Sequence, residues 1–423
     1  MRCALPDPPL AAAAPSDVPL LIFGALLMGG ALLSGLAHRS FLSLTALFVL
    51  AGFLLGEGGA GVLEVDARSG FVAVLATVAL VVILFRDGLE VEGEMLQQEW
   101  RLPFRKLLIA MPITAGIVAV AAHVLVGLDW TESLLVGALL APTDPVLSSS
   151  VVTNPRVPRV IRHSLNLESG LNDGLALPAV LAFSALLRVG DQDFTWWQFV
   201  LQDVSLGFAY GVGLGWLAAL VLPRARGLAT GIPDHQKSLY ALGTAFATYG
   251  IAVLLEGNGL IAVFVCAITF GIRRPDLRAT FEARADDIVE IAKLGVFVVF
   301  GSLLTLDGLF GDGWAAVGVV LVTLLVARPV AVWLALIGTR LRPDVIAFMA
   351  WFGPKGVATM TFSLLVLADD IPGNDQVFNL AALVVFTSIL VHGLTDTPGS
   401  EWIADRVGPA GGVTRAARPA PAP

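Results

Sequence analysis

The chain reads as runs of apolar residues parted by short polar stretches. Thirteen such runs lie near Leu20–Ala37, Leu42–Leu55, Phe71–Phe85, Leu107–Val126, Glu132–Val152, Ser164–Leu187, Trp196–Leu222, Ser238–Leu255, Gly259–Ile272, Ile288–Leu306, Trp314–Ile337, Val345–Ala368 and Val377–Leu394. Most approach the roughly 20 residues that carry a helix across the hydrocarbon core of a bilayer. The second and ninth are shorter and interrupted by glycine. The runs lack the period-two alternation of a membrane-barrel strand. In lipid each backbone N–H and C=O must be satisfied within the segment, and a helix does this. The predicted fold class is therefore an all-α polytopic membrane protein with thirteen transmembrane helices.

Composition agrees. Of 423 residues, 56% are hydrophobic and 14% charged, against about 25% charged in a soluble domain. A soluble enzyme is excluded. Cys3 and Cys266 are too far apart in sequence for a disulfide framework or a metal site, and no cofactor is expected. Residues 1–17 are rich in Ala and Pro and are expected to be disordered. Pro6, Pro8, Pro9 and Pro15 make them a poor signal peptide. The net charge of −8 says little about partners, because the acids fall mostly between the runs.

Basic residues orient the spans. Twenty of the 26 fall on one set of loops and the tail, Arg101, Arg105 and Lys106 among them, and only Arg2, Arg68 and Arg188 fall on the other side. This predicts a multi-pass protein of the cell (inner) membrane, with the N-terminus outside and the C-terminus in the cytoplasm. Lys293, Arg328 and Lys355 lie inside predicted spans. Trp130, Trp196, Trp197 and Trp314 fall near span ends, where an aromatic belt places them.

Candidate chemistry concentrates between Leu134 and Pro178. Asp144 lies in one apolar run, Glu168 and Asp173 in the next. Ionisable groups at membrane depth are costly and mark ion paths. Pro142 and Pro145 flank Thr143-Asp144 and interrupt the helix there. Freed carbonyls beside a carboxylate make a cation site. On a helix, Glu168, Ser169, Asn172 and Asp173 share one side. Hard cations take oxygen ligands, so Asp173, Asp144, Thr143, Ser169 and Asn172 are the candidate set. Asn172 can equally brace the broken helix. A carboxylate away from water is disfavoured as an anion unless a cation or a proton joins it. Asp173 is thus expected to carry one or the other. Asn172 is neutral, so one group titrates at that position, which predicts one proton per monovalent cation.

A shift of 211 residues places Asp144 on Lys355, and the first six spans on spans eight to thirteen. Span seven is left as a linker, so the halves have inverted topology. Pro142-Thr143-Asp144-Pro145 then matches Gly353-Pro354-Lys355-Gly356. Paired breaks in corresponding helices point to a transport site. Arg328 needs a buried partner, and Glu168 is the natural one. Lys355 is expected to offset helix dipoles at the break. Lys293 is expected to snorkel or to pair with Glu290, and His123 to be a tolerated polar residue.

These features, APTDP, ESGLND, the arginine of span eleven and the charged break of span twelve, resemble the monovalent cation/proton antiporters, in their NhaP-like electroneutral branch. The resemblance covers nearly the whole membrane region. Electrogenic relatives carry Asp at the position of Asn172. The resemblance implies an NhaA/NhaP-like antiporter fold of two inverted six-helix repeats with broken crossing helices. It implies a homodimer working as an elevator. Within a membrane domain of residues 18–399, a transport bundle of residues 107–188 and 314–396 would move past a dimerisation domain of residues 18–106 and 238–306, with residues 196–222 as linker helix. Asp173 would be the essential carrier, Asp144, Ser169 and the Thr143 carbonyl its fellow ligands, and Glu168–Arg328 a bracing pair. Lys355 departs from the arginine of many relatives, and a lysine makes no bidentate fork. Residues 400–423 form a short tail, so a large cytoplasmic regulatory domain is not expected.

The implied function is exchange of H⁺ for Na⁺, Li⁺ or K⁺, with Na⁺ leading and K⁺ the alternative. Other readings are a channel or sensor on the same architecture, and a symporter. A membrane hydrolase is disfavoured, since HExxH and GxSxG are absent. The expected partners are monovalent cations, protons, the lipid bilayer and a second copy of the chain, not nucleic acid.

Overall fold

The computed structural model describes residues 17–37, 44–91, 100–144, 151, 154–190, 194–222, 233–369, 371 and 373–408. Most of the Ala/Pro-rich start, Cys3, Pro145 and the end of the tail lie outside them. Every regular element among the described residues is a helix. In chain order these are α1 (Asp17–Ala37), α2 (Leu44–Leu55), α3 (Gly70–Glu90), α4 (Arg101–Val126), α5 (Trp130–Leu140), α6 (Arg159–Val189), α7 (Trp196–Val221) and α8 (Asp234–Leu254). There follow α9 (Gly259–Arg273), α10 (Pro275–Ser302), the short α11 (Leu306–Phe310), α12 (Gly313–Ala335), the half-helices α13 (Pro343–Trp351) and α14 (Val357–Ala368), and α15 (Asn374–Val407).

A helix stands at each of the thirteen predicted spans, with differences that have physical causes. The run at Glu132–Val152 gives α5, which opens on a capping box of Asp129 and Glu132 and stops at Leu140, before Pro142. The run at Val345–Ala368 is two half-helices parted by Phe352–Gly356. The run at Ile288–Leu306 belongs to a helix that begins at Pro275. Its polar first half is invisible to hydropathy, but Pro at the first position and a stretch rich in Ala, Arg and Glu favour helix. Helix α4 contains two π-helical turns, Lys106–Ala110 and Ala122–Val126, and α12 contains one, Thr323–Ala327. Such turns often mark functional sites.

Lipid offers no hydrophobic drive between helices, so close packing of small residues takes its place. Gly207, Gly211 and Gly215 recur every fourth residue on α7 and face α9. A β-carbon at Gly211 or at Gly215 would come within 2.6 Å of the backbone oxygen of Ala262 or Cys266. Around α9 gather α3, α7 and α8, and α10 packs on α2, α3 and α8. A second group joins α4, α5, α6, α12, α14 and α15. Helix α3 touches both groups, packing on α9 and α10 on one side and on α6 and α14 on the other.

Candidate cation site

The two predicted breaks meet. The residues after α5 and those between α13 and α14 lie against each other, and the backbone N–H of Asp144 donates to the Pro354 carbonyl at 2.8 Å. A broken helix leaves carbonyls and amides without intrahelical partners. Side chains take them up here. At the end of α5, Thr359 Oγ1 donates to Leu139 O at 2.9 Å. Lys355 Nζ donates to Ala141 O and Pro142 O at 3.3 and 3.2 Å. Asn172 Nδ2 donates to Thr143 O at 2.6 Å. At the end of α13, Arg328 Nη2 donates to Met349 O and Phe352 O at 3.4 and 3.2 Å, and His392 Nε2 lies 3.0 Å from Trp351 O. The Lys355 amide donates to Ser388 Oγ at 2.9 Å, and the Val357 amide to Asp144 Oδ2 at 3.4 Å.

Charge follows the helix ends. Carbonyl ends attract cations and amide ends anions. Lys355 sits on the carbonyl end of α5, Arg328 on that of α13, and Asp144 on the amide end of α14. Lys355 is 1% exposed and stands where the sequence placed a charge opposed to the dipoles.

Glu168 and Arg328 pair at 2.9 Å, both buried. The carboxylate has a second cation: Lys106 Nζ lies 2.6 Å from Glu168 Oε2 and also donates to Ser164 O at 3.2 Å. This corrects the sequence reading of Lys106 as a cytoplasmic loop residue. It is 1% exposed and begins the first π turn of α4. A base at the edge of an apolar run reads as interfacial. Only its partner on another helix shows that it faces inward.

Asp173 is buried one helical turn beyond Gly170, and its carboxylate has no hydrogen-bond partner among the described residues. Its charged neighbours are Asp87, Asp144 and Lys293. Beside it Asn172 is 2% exposed. Its Nδ2 holds Thr143 O and reaches Thr143 Oγ1 at 3.2 Å, while its Oδ1 is buried with no partner. Both readings of Asn172 thus have structural counterparts, a brace on one side and an open amide oxygen on the other. Thr143 Oγ1 also receives Arg328 Nη1 at 3.4 Å. With two donors on it, the hydroxyl has no acceptor capacity left, whereas the carbonyl keeps one lone pair. Ser169 is half-buried on the same helix.

Sequence reasoning passed over Asp87. It is buried three residues before the end of α3, and its backbone oxygen lies 3.4 Å from where a β-carbon on Gly170 would stand. Its position at the edge of an apolar run hid it, as with Lys106. Ser388 and His392 were also missed; their spacing of four along α15 was the available signal. Lys293 is buried and lies 3.6 Å from Glu290, the pairing expected for it. His123 stacks on Trp130 at 4.1 Å and contacts Leu128 O at 2.7 Å.

A bundle of spanning helices with two broken helices crossing beside a buried carboxylate, without a hydrogen-bond partner among the described residues, defines the class of ion-coupled membrane transporters. Residues 24–402 match the family model described as sodium/hydrogen exchanger, transmembrane, and the chain belongs to that family. It is 28% identical over 386 residues to a protein of Shewanella oneidensis named K(+)/H(+) antiporter NhaP2, covering 89% of this chain and 65% of that one. A protein of Alkalimonas amylolytica named K(+)/H(+) antiporter NhaP is 23% identical, with 92% and 67% covered. The chain thus spans about two thirds of the length of these relatives. The solved structure of the sodium proton antiporter MjNhaP1 from Methanocaldococcus jannaschii superposes with a TM-score of 0.80 at 19% identity, covering 93% of this chain and 99% of that one. The antiporter fold predicted from the sequence is therefore the fold of this chain.

Proposed function

We propose that the protein is a secondary transporter that exchanges a monovalent cation for H⁺, one for one, at Asp173. The observation that carries this is the state of Asp173: a buried carboxylate without a hydrogen-bond donor among the described residues, next to a buried amide oxygen that also lacks a partner there. Such a pair is stabilised by a small cation, or by a proton on the carboxylate. The remaining ligands are the Thr143 carbonyl through its free lone pair, Ser169 Oγ and the carboxylate of Asp144. Glu168, held between two cations, is a structural ion pair with Arg328 and takes no part in binding.

Na⁺ is the leading cation, with Li⁺ or K⁺ as other cargoes. A K⁺/H⁺ exchanger is the second reading, favoured by the names of the Shewanella and Alkalimonas relatives. Both ions use the same oxygens. The helices of residues 107–188 and 314–396 form the moving bundle, those of residues 18–106 and 238–306 the scaffold on which two copies pair, and α7 the linker. The N-terminus lies outside and the C-terminus in the cytoplasm of a cell membrane.

The test is recovery of an imposed pH gradient in proteoliposomes on adding Na⁺, Li⁺ or K⁺, for the wild type and Asp173→Asn. Recovery that needs Asp173 and survives collapse of the membrane voltage is the expected result, and the most effective ion names the cargo. Equal recovery by Asp173→Asn removes the carrier assignment.

A further inference from the structure

The way two cations divide Glu168 leads beyond the exchange reaction. An arginine beside a carboxylate usually forks, giving each oxygen one N–H. Here Arg328 reaches only Oε1, through Nη1 at 2.9 Å. Oε2 is taken by Lys106 at 2.6 Å. Arg328 Nη2 is therefore left for the carbonyls of Met349 and Phe352, and Nη1 leans also toward Thr143 Oγ1. Those contacts tie the guanidinium to the end of α13 and to the residue before Asp144. Lys106 belongs to α4 and touches neither place.

We propose that Lys106 is a positioning residue for the ion site, acting through Glu168 and Arg328. By occupying Oε2 it keeps Arg328 from forking onto Glu168. The guanidinium then stands where it joins the broken end of α13 to Thr143. Thr143 in turn anchors Asn172, the neighbour of Asp173. Lys106 is itself fixed by its second bond to Ser164 O, one turn before Glu168 on α6. Lys106 opens a π turn of α4, and its ammonium is buried there. Without Lys106, Oε2 is a buried oxygen lacking a donor, and Arg328, already on Oε1 through Nη1, can fork by turning Nη2 onto it. Its move would release Met349 O and Phe352 O and pull the guanidinium away from Thr143.

This inference rests on the exchange reading, and one experiment separates the two. Full-length wild type, Lys106→Met, Thr143→Ala and the double variant are assayed in proteoliposomes for the cation concentration giving half-maximal exchange and for the saturating rate. Removal of a residue that orients metal ligands typically weakens ion affinity about 10- to 100-fold. The expected result is a half-saturation concentration raised about tenfold in Lys106→Met, with a smaller change in saturating rate. The effects of Lys106→Met and Thr143→Ala should be non-additive although the residues do not touch. A wild-type half-saturation in Lys106→Met, or strict additivity with Thr143→Ala, overturns the proposal. Should Lys106→Met fail to fold, Lys106→Arg decides: its guanidinium still donates to Oε2 and so keeps Arg328 off that oxygen, so a half-saturation near the wild type supports the idea and one raised about tenfold overturns it. A wild type that moves no protons with any of the three ions instead sinks the exchange reading and this inference with it.

Discussion

The carboxylate of Asp144 faces the amide end of α14, with Oδ2 3.4 Å from the Val357 nitrogen, while its own amide donates to Pro354. One residue thus joins both broken spans through backbone and side chain. Gly356 makes the approach possible, since a β-carbon there would collide with the Asp144 β-carbon. Neither atom is the far end of a flexible side chain, so the crossing itself must shift. Gly356→Ala is expected to lower stability by about 1–3 kcal/mol, the usual cost of overpacking, and to abolish exchange. Thermal unfolding in detergent checks this, with Gly116→Ala as control, because a β-carbon at Gly116 meets nothing within 4 Å. Equal melting of the two variants would refute it.

Glu168 neutralises two buried cations at once. Glu168→Gln leaves Lys106 and Arg328 facing a neutral amide whose nitrogen offers only further donors. Breaking a buried pair typically costs about 3–5 kcal/mol, and a large fall in melting temperature is expected. Lys106→Met combined with Glu168→Gln removes one of the two stranded cations and should recover part of the loss. A double variant less stable than Glu168→Gln would contradict this account.

Asn172→Asp replaces a donor to Thr143 O by a second carboxylate oxygen. The brace is lost and two acceptors are left face to face, a loss of about 1–3 kcal/mol, or more for a charged group. A second titrating group also joins Asp173. Exchange should fall, and what remains should respond to an imposed voltage where the wild type does not. Voltage-clamped vesicles give the readout; a variant as indifferent to voltage as the wild type would count against the single-site stoichiometry.

Away from the membrane core, Arg274 is 1% exposed and holds Asp276 by two bonds of 2.9 Å while donating to Leu222 O at 2.6 Å. Its guanidinium keeps the Asp276 carboxyl below the usual carboxylate range. A lowered folded-state value means stability present above the unfolded value of about 4 and lost as pH falls through the folded one. Asp276→Asn should therefore melt below wild type near neutral pH, by a small margin because the carboxylate is half exposed. The gap should close under acid conditions. A gap independent of pH would show that the charge is not the cause.

Much of this was legible in the sequence, because lipid leaves few options. Apolar length gave the helices, Pro142 and Pro354 the breaks, and the cost of a lone buried arginine pointed from Arg328 to Glu168. Lys106 and Asp87 were not legible. Each sits at the end of an apolar run, where a long side chain or a turn of helix normally returns a charge to water. Whether it does depends on which face of the helix looks inward, and hydropathy at the end of a run does not record that. The polar start of α10 escaped for the opposite reason: hydropathy finds membrane depth, not helix.

Asp173 with a proton and Asp173 with a monovalent cation carry the same charge, and the fixed charges of Arg328, Lys355, Glu168 and Asp144 are common to both. A bundle moving through the membrane field with either passenger therefore moves the same charge, outward with one and inward with the other. The field does equal and opposite work on the two strokes, at about 2.3 kcal/mol per elementary charge for each 100 mV. That work cancels over a complete cycle. It cannot bias the direction, which belongs to the two concentration gradients alone.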